Sequence, residues 1–196
     1  MAPVCTIIGG ANGSGKSALF ELLKPSGEFV NADNVARTIN PGAPEAASLA
    51  SGRAVLALLH SLVAEKRDFA YETTLSSHQA LDLMQVARRA GYQVGLVFVA
   101  LADVGLHITR VEDRVAQGGH DIPELVIRRR YEKSWQGLAA AIPLADGCLI
   151  YDNSGSEPVL LARLEGTSLV EDRLDGTAPL HRRIAAVLAE ALRDRA

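Results

Sequence analysis

The chain has 196 residues, of which 22% are charged and 5% aromatic, and its net charge is −3. That length allows one domain with a proper core, while the weak acidic balance and scarcity of rings exclude a general polyanion-binding surface and argue against a stacking platform for single strands. With no basic leader at the N-terminus and no apolar stretch of membrane-spanning length, the sequence predicts a soluble, cytoplasmic protein with neither a membrane nor a nucleic-acid partner.

Residues 4–8 form a short β-branched apolar run, as expected of a buried parallel strand. The run leads into Gly10-Ala11-Asn12-Gly13-Ser14-Gly15-Lys16-Ser17, which fits the phosphate-cradling pattern G-x-x-x-x-G-K-[ST]. A helical stretch follows over 17–24 and stops at Pro25. The glycines let backbone N–H groups turn inward toward phosphate oxygens, and the helix start adds partial positive charge. Gly10, Asn12, Gly13, Ser14, Gly15, Lys16 and Ser17 are therefore the expected nucleotide-binding set, with ATP and Mg²⁺ as ligands. Lys16 is expected at the β- and γ-phosphates, and the Ser17 hydroxyl on the metal.

Residues 28–33 read as a second strand that delivers Asp33 at its end, with a short helix over 34–39. An Ala- and Leu-rich helix is expected over 44–66, with Leu49, Val55, Leu58, Leu59, Leu62 and Val63 on its apolar face. A strand over 69–73 ends in Glu72 and Thr73, and a helix runs over 79–89 to Gly91. Residues 93–101 are the most continuous apolar run, hence a central parallel strand. Helices over 104–117 and 123–141 flank the break at Gly118-Gly119-His120, and a core strand follows over 147–152. A hairpin of strands 159–164 and 168–174 turns at Glu165-Gly166-Thr167, and residues 179–195 close the chain as a helix. The alternation predicts an α/β fold of the P-loop NTPase type: a parallel sheet with helices on both faces and a helical, arginine-bearing lid. It is read as a single domain over 1–196, with core and lid over about 1–155 and the hairpin and last helix over 156–196.

Ligands of open parallel sheets bind beyond the carboxyl ends of the strands. Asp33, Glu72, Thr73 and Asp152 each fall at such an end. A carboxylate there can accept the proton of an attacking hydroxyl or hold Mg²⁺ through water. For Asp33 the plainer alternative is a helix cap. Arg110 and Arg114 share a helical face, and Arg128, Arg129 and Arg130 follow beyond the glycine break. A departing phosphoryl group spreads charge over its oxygens, so arginines on a closing lid suit it, although any single arginine can simply pair with Glu112, Asp113, Glu124 or Glu132. Trp135 falls on the stripe Ile127, Tyr131, Trp135, Leu138, Ile142 and reads as core; His120 reads as a loop hydrogen-bonder. Leu149-Ile150-Tyr151-Asp152 arrives last in the predicted sheet, and Asn153-Ser154 suits a loop near the nucleotide base. Cys5 and Cys148 lie in apolar strands and read as buried free thiols.

The succession of the phosphate loop, Val30-Asn31-Ala32-Asp33, Phe69-Ala70-Tyr71-Glu72-Thr73-Thr74-Leu75, Arg110-Val111-Glu112-Asp113-Arg114-Val115, Gly118-Gly119-His120-Asp121-Ile122-Pro123, Arg129-Arg130-Tyr131 and Tyr151-Asp152-Asn153-Ser154 resembles the zeta-toxin family, in its compact stand-alone bacterial branch. The resemblance covers about residues 4–155. It implies a P-loop kinase that phosphorylates a hydroxyl of a small nucleotide-linked metabolite, in the best-understood members the 3′-hydroxyl of the amino sugar of UDP-N-acetylglucosamine. On that resemblance Lys16 matches the phosphate-loop lysine, Asp33 the catalytic base and Glu72 the acid that holds the substrate, with Thr73 beside it. Arg114, with Arg129 or Arg130, resembles the arginines that stabilise the transferring phosphate. A small antitoxin protein is then a candidate partner. Two other readings stay open: an ATP-hydrolysing switch or regulatory ATPase, and a kinase acting on nucleic-acid ends.

Overall fold

The computed structural model describes residues 1–39, 48–119 and 121–193, with the side chains of Asp33, Ala36, Arg37, Ile39, Ser48 and Leu49 outside that description. The first strand, β1 (Val4–Gly9), is covered on both faces: Cys5 and Ile7 enter one apolar cluster and Ile8 another. A strand apolar on both sides belongs inside a parallel sheet. β1 pairs in parallel with β3 (Phe69–Thr73) on one side and β4 (Gln93–Ala100) on the other. Beyond them lie β2 (Glu28–Val30) and β5 (Gly147–Asp152), again parallel. The chain then adds β6 (Val159–Glu165) and β7 (Ser168–Asp172), both antiparallel, giving the order β2-β3-β1-β4-β5-β6-β7. The sheet is therefore mixed where the alternation predicted parallel strands. The reason is local: residues 153–158 join β5 to β6 with no helix between them, Gly166-Thr167 alone joins β6 to β7 with Gly166 at φ 57°, and connections so short can only reverse the chain.

The helices are α1 (Lys16–Leu23), α2 (Ala32–Ile39), α3 (Ser48–Ala64), α4 (Gln79–Arg89), α5 (Val104–Ala116), α6 (Glu124–Ala141) and α7 (Pro179–Arg193). Val55, Leu59 and Leu62 of α3, Leu83 and Met84 of α4, Trp135 and Leu138 of α6, and Ile184 and Leu188 of α7 share one cluster with Phe69, Leu96, Phe98 and Ile150. Each such side chain contributes about 1.5–3 kcal/mol through burial. On the opposite face Leu19, Phe20 and Leu23 of α1 pack against Ile8, Ala70, Val97 and Val99. Trp135 is a core residue as expected, its ring tilted against Phe98 and edge-on to Tyr131. Cys5 and Cys148 are free and buried, and burial pushes both thiols up to about 12.

One boundary departs from the sequence reading in a way that matters for function. The strand expected over 28–33 ends at Val30, and α2 begins at Ala32. Asn31 takes the capping place: its side-chain oxygen accepts from Asn34 N at 3.4 Å and its carbonyl from Val35 N at 3.1 Å. A good N-cap starts the helix early and cuts the strand short. The Asp33 backbone thus lies in the first turn of α2 rather than at a strand end. The expected start of α3 at residue 44 lies outside the described residues, as does His120.

Candidate phosphate-transfer site

The loop between β1 and α1 owes its path to its glycines. Gly10 has φ 148°, and a Cβ there would stand 2.5 Å from the Val99 carbonyl oxygen. Gly13 and Gly15 have φ 78° and 91°, the left-handed region that glycine enters without strain. Gly15 caps α1 with no side-chain hydrogen bond, which leaves the first-turn N–H groups of the helix open to an anion. Ser14 is wholly buried, and its Oγ has no partner among the described residues.

The carbonyls of Ala11, Asn12 and Ser14 are each held by a partner. Ala11 O accepts from Ser14 N and from Lys16 Nζ, both at 3.2 Å. Asn12 O lies 2.7 Å from His107 Nδ1 of α5, and Asn12 Oδ1 accepts from Arg130 Nη1 of α6 at 3.1 Å. Ser14 O accepts from Asn153 Nδ2 at 2.8 Å, and Arg110 Nη2 donates to Asn153 O at 2.8 Å. Burial holds His107 well below the ordinary histidine range, at about 4, and the Lys16 and Arg110 charges act in the same direction. The imidazole is therefore neutral at pH 7, and only a protonated Nδ1 can satisfy the Asn12 carbonyl.

The register of β3 against β1 sets Glu72 opposite Ile8 and Thr73 opposite Gly9, beside the loop. Glu72 Oε2 accepts from Ser17 Oγ at 2.6 Å, and Oε1 lies 3.8 Å from Lys16 Nζ, with the Glu72 side chain only 13% exposed. Thr73 Oγ1 instead accepts from Leu75 N at 3.2 Å, turning its hydroxyl onto its own bend. Asp152 accepts from Ser154 N, and Ser154 Oγ in turn accepts from Ala102 N, so this carboxylate ties two strand ends together. The Asp33 carboxylate lies outside the described residues.

Of the arginines, Arg130 reaches the loop at Asn12 and Arg110 reaches it through Asn153. Arg114 is half-buried in the last turn of α5, where Gly119 N donates to its carbonyl at 2.8 Å. Arg129 is exposed, and Arg128 pairs with Glu124 at 2.7 Å on the solvent side of α6. The structure thus gathers Gly13, Gly15, Lys16, Ser17, Glu72 and Arg130 at one end of the sheet, while Thr73, Asp152 and Arg128 turn to local partners. Of the residues at the loop, one escaped the sequence reading and one was placed differently by it. His107 carries no motif and sits on an apolar helix face, and Asn153 was expected near a nucleotide base rather than on the loop. β5 is also not the last strand, because the hairpin joins the sheet beyond it. Ser17 and Glu72 supply hard oxygen donors suited to Mg²⁺, and no group of three His, Cys, Asp or Glu among the described residues could cage a metal by itself.

The family model described as zeta toxin matches residues 1–164. An uncharacterized protein of Haemophilus influenzae is 33% identical over 123 residues, covering 62% of this chain and 88% of that protein. The crystal structure of AvrRxo1-ORF1:-ORF2 with ATP superposes with a TM-score of 0.69 at 14% identity, over 96% of this chain and 64% of that one, so this chain spans slightly less than two thirds of that relative. The PezAT chromosomal toxin–antitoxin system of Streptococcus pneumoniae gives 0.62 at 13% identity, over 97% and 87%. At such identities these structures speak for the fold alone. The family match over most of the chain carries the assignment: the protein belongs to the zeta-toxin family.

Proposed function

We propose that this protein is an ATP-dependent kinase that passes the γ-phosphate to a hydroxyl of a small nucleotide-linked metabolite, with a nucleotide sugar such as UDP-N-acetylglucosamine as the first acceptor to try. The observation that carries the reading is the junction of Lys16, Ser17 and Glu72 at an uncapped helix start. In this reading the N–H groups of Gly13, Gly15, Lys16 and Ser17 bind the triphosphate, and Lys16 exchanges the Ala11 carbonyl for phosphate oxygens. Ser17 and Glu72 hold Mg²⁺, which when bound neutralises charge between the β- and γ-phosphates. Gly10, Asn12 and Ser14 shape the loop. Asp33 takes the proton of the acceptor hydroxyl, and Thr73 borders the acceptor. Arg130, with Arg114 and Arg129, offsets charge on the departing phosphoryl group. The name of the PezAT system supports adding a small antitoxin to this reading as a partner.

The test is a radiolabelled-ATP transfer screen against nucleotide sugars, nucleosides and oligonucleotides, run with Lys16→Ala and Asp33→Asn. The expected outcome is a labelled nucleotide sugar, no product with Lys16→Ala, and a rate about 10²–10⁴ lower with Asp33→Asn at unchanged ATP affinity. Acceptor-independent hydrolysis alone would favour a switch, and labelled oligonucleotide ends a nucleic-acid kinase.

A further inference from the structure

His107 lies at the end of the first turn of α5, far in sequence from the phosphate loop, and the proposed transfer chemistry leaves it without a task. It is nonetheless built onto the loop. The side chain is 1% exposed, its Nδ1 is 2.7 Å from Asn12 O, and its ring meets Tyr131 edge-on at 5.2 Å between centroids. α5 approaches so closely that a Cβ on Gly13 would stand 2.7 Å from the His107 carbonyl oxygen and 3.4 Å from Val111 Cγ2. A buried imidazole that donates one N–H to a carbonyl is a directional constraint on that peptide, not merely filler.

The peptide in question has a cheap alternative. In a trans unit the Asn12 C=O and the Gly13 N–H point in opposite directions, and rotating the unit exchanges them. Glycine tolerates both signs of φ, so the Gly13 side of the unit offers little resistance to the exchange. With the carbonyl turned to α5, the N–H points away from the helix to the open side of the loop. With the unit rotated, a carbonyl oxygen would face an incoming phosphate instead. We infer that His107 is a positioning residue for phosphate binding: its Nδ1–H holds the Asn12 carbonyl so that the Gly13 N–H is presented to the nucleotide. The geometry is repeated two residues further on, where Asn153 Nδ2 holds the Ser14 carbonyl as His107 holds that of Asn12. The depressed basicity of His107 fits, since a neutral ring carries the one proton that the bond needs and adds no charge beside Lys16.

This inference rests on the phosphate-loop reading, and the experiment separates the two. Binding of Mg²⁺ with a non-hydrolysable ATP analogue is measured by calorimetry on the full chain for wild type, Lys16→Ala, His107→Phe and His107→Asn, with thermal unfolding alongside. Phe keeps a ring and loses the donor; Asn loses the ring but places an amide N–H near the Nδ1 position. His107→Phe should weaken binding about tenfold or more, the scale of one buried carbonyl left unpaired. His107→Asn should recover most of that affinity while melting below wild type. Affinity that follows the donor and stability that follows the ring would not arise from a packing role alone. Wild-type affinity in His107→Phe, or equal weakness in both variants, overturns the inference. Should His107→Phe fail to fold, ¹⁵N-histidine NMR of the wild type decides: a neutral Nδ1–H tautomer from pH 8 to 5 supports the inference, and an Nε2–H tautomer overturns it. If wild type binds no nucleotide, the phosphate-loop reading falls first. If wild type binds, Lys16→Ala does not, and His107→Phe binds normally, only the role of His107 falls.

Discussion

Glu72 shows how much a single side chain's surroundings can change its meaning. The family resemblance assigns it to the acceptor, whereas its oxygens meet Ser17 and Lys16 on the nucleotide side of the site. The two roles separate experimentally. Glu72→Gln keeps the shape and loses the charge, so the concentration of Mg²⁺ needed for half-maximal transfer should rise about tenfold or more while the acceptor KM stays put. A raised acceptor KM at unchanged Mg²⁺ dependence would return Glu72 to the substrate. The arginines separate in the same way. Arg130 touches the loop and Arg128 pairs in solvent with Glu124. Arg130→Ala should slow transfer by about 10³ or more with little change in ATP affinity, as expected of a cation that acts on the departing phosphoryl group. Arg128→Ala should stay within about fivefold, because an exposed ion pair contributes at most about 1 kcal/mol. Single-turnover rates of the two variants check both statements.

At the scale of elements, the active end of the sheet is held by one close crossing. Leu75, just past Glu72 and Thr73, is buried with φ 56°, a left-handed conformation that a leucine keeps only under tight packing. α6 supplies that packing: a Cβ on Gly137 would collide with the Leu75 carbonyl. Gly137→Ala should therefore push α6 off the end of β3 and destabilise the protein by about 1–3 kcal/mol, despite alanine's better helix propensity. Gly52, inside α3, has nothing within 4 Å of the same position, and Gly52→Ala should stabilise by about 0.5–1 kcal/mol. Urea unfolding of the pair gives opposite signs if this geometry is right. The same α6 is gripped from outside by α7, whose Arg183 lies 4.9 Å from the Tyr131 ring centre and 4.8 Å from that of Trp135. The helix bearing Arg130 is thereby fixed at its middle by Leu75 against Gly137 and by Arg183 over Tyr131 and Trp135.

For the whole molecule, the buried imidazole predicts an acid sensitivity. The folded pKa of His107 is about 4 against an ordinary 6.5, because burial disfavours the cation, with Lys16 and Arg110 adding to the effect and the Asn12 carbonyl and Asp103 opposing it. Between those two values the unfolded chain takes up a proton that the folded protein refuses. Stability is therefore unaffected by this group above about pH 6.5 and falls as pH drops toward 4, by about 3 kcal/mol in all. Measured from pH 7 to 4, wild type should lose more stability than His107→Asn by about that amount. Equal losses would place the imidazole in solvent.

The phosphate loop was legible because its chemistry is local: the glycines, Lys16 and Ser17 are consecutive, and their function follows from backbone conformations that only those residue types adopt. The strands and most helices were legible for a related reason, since apolar periodicity records which face each element buries. What the sequence by itself determined was thus the α/β pattern, the loop, the buried cysteines and the core place of Trp135. Tertiary structure decided the rest. It docked the expected hairpin onto the edge of β5 and gave Thr73 and Asp152 to local turns. From among neighbouring arginines it selected Arg130, because one side of α6 faces Asn12 and the other faces water. It also drew His107 and Asn153 onto loop carbonyls 95 and 139 residues away. A backbone carbonyl has no residue type, so nothing in the order of side chains announces which of them will be held. Only the packing of α5 and of the segment after β5 against the loop makes that choice.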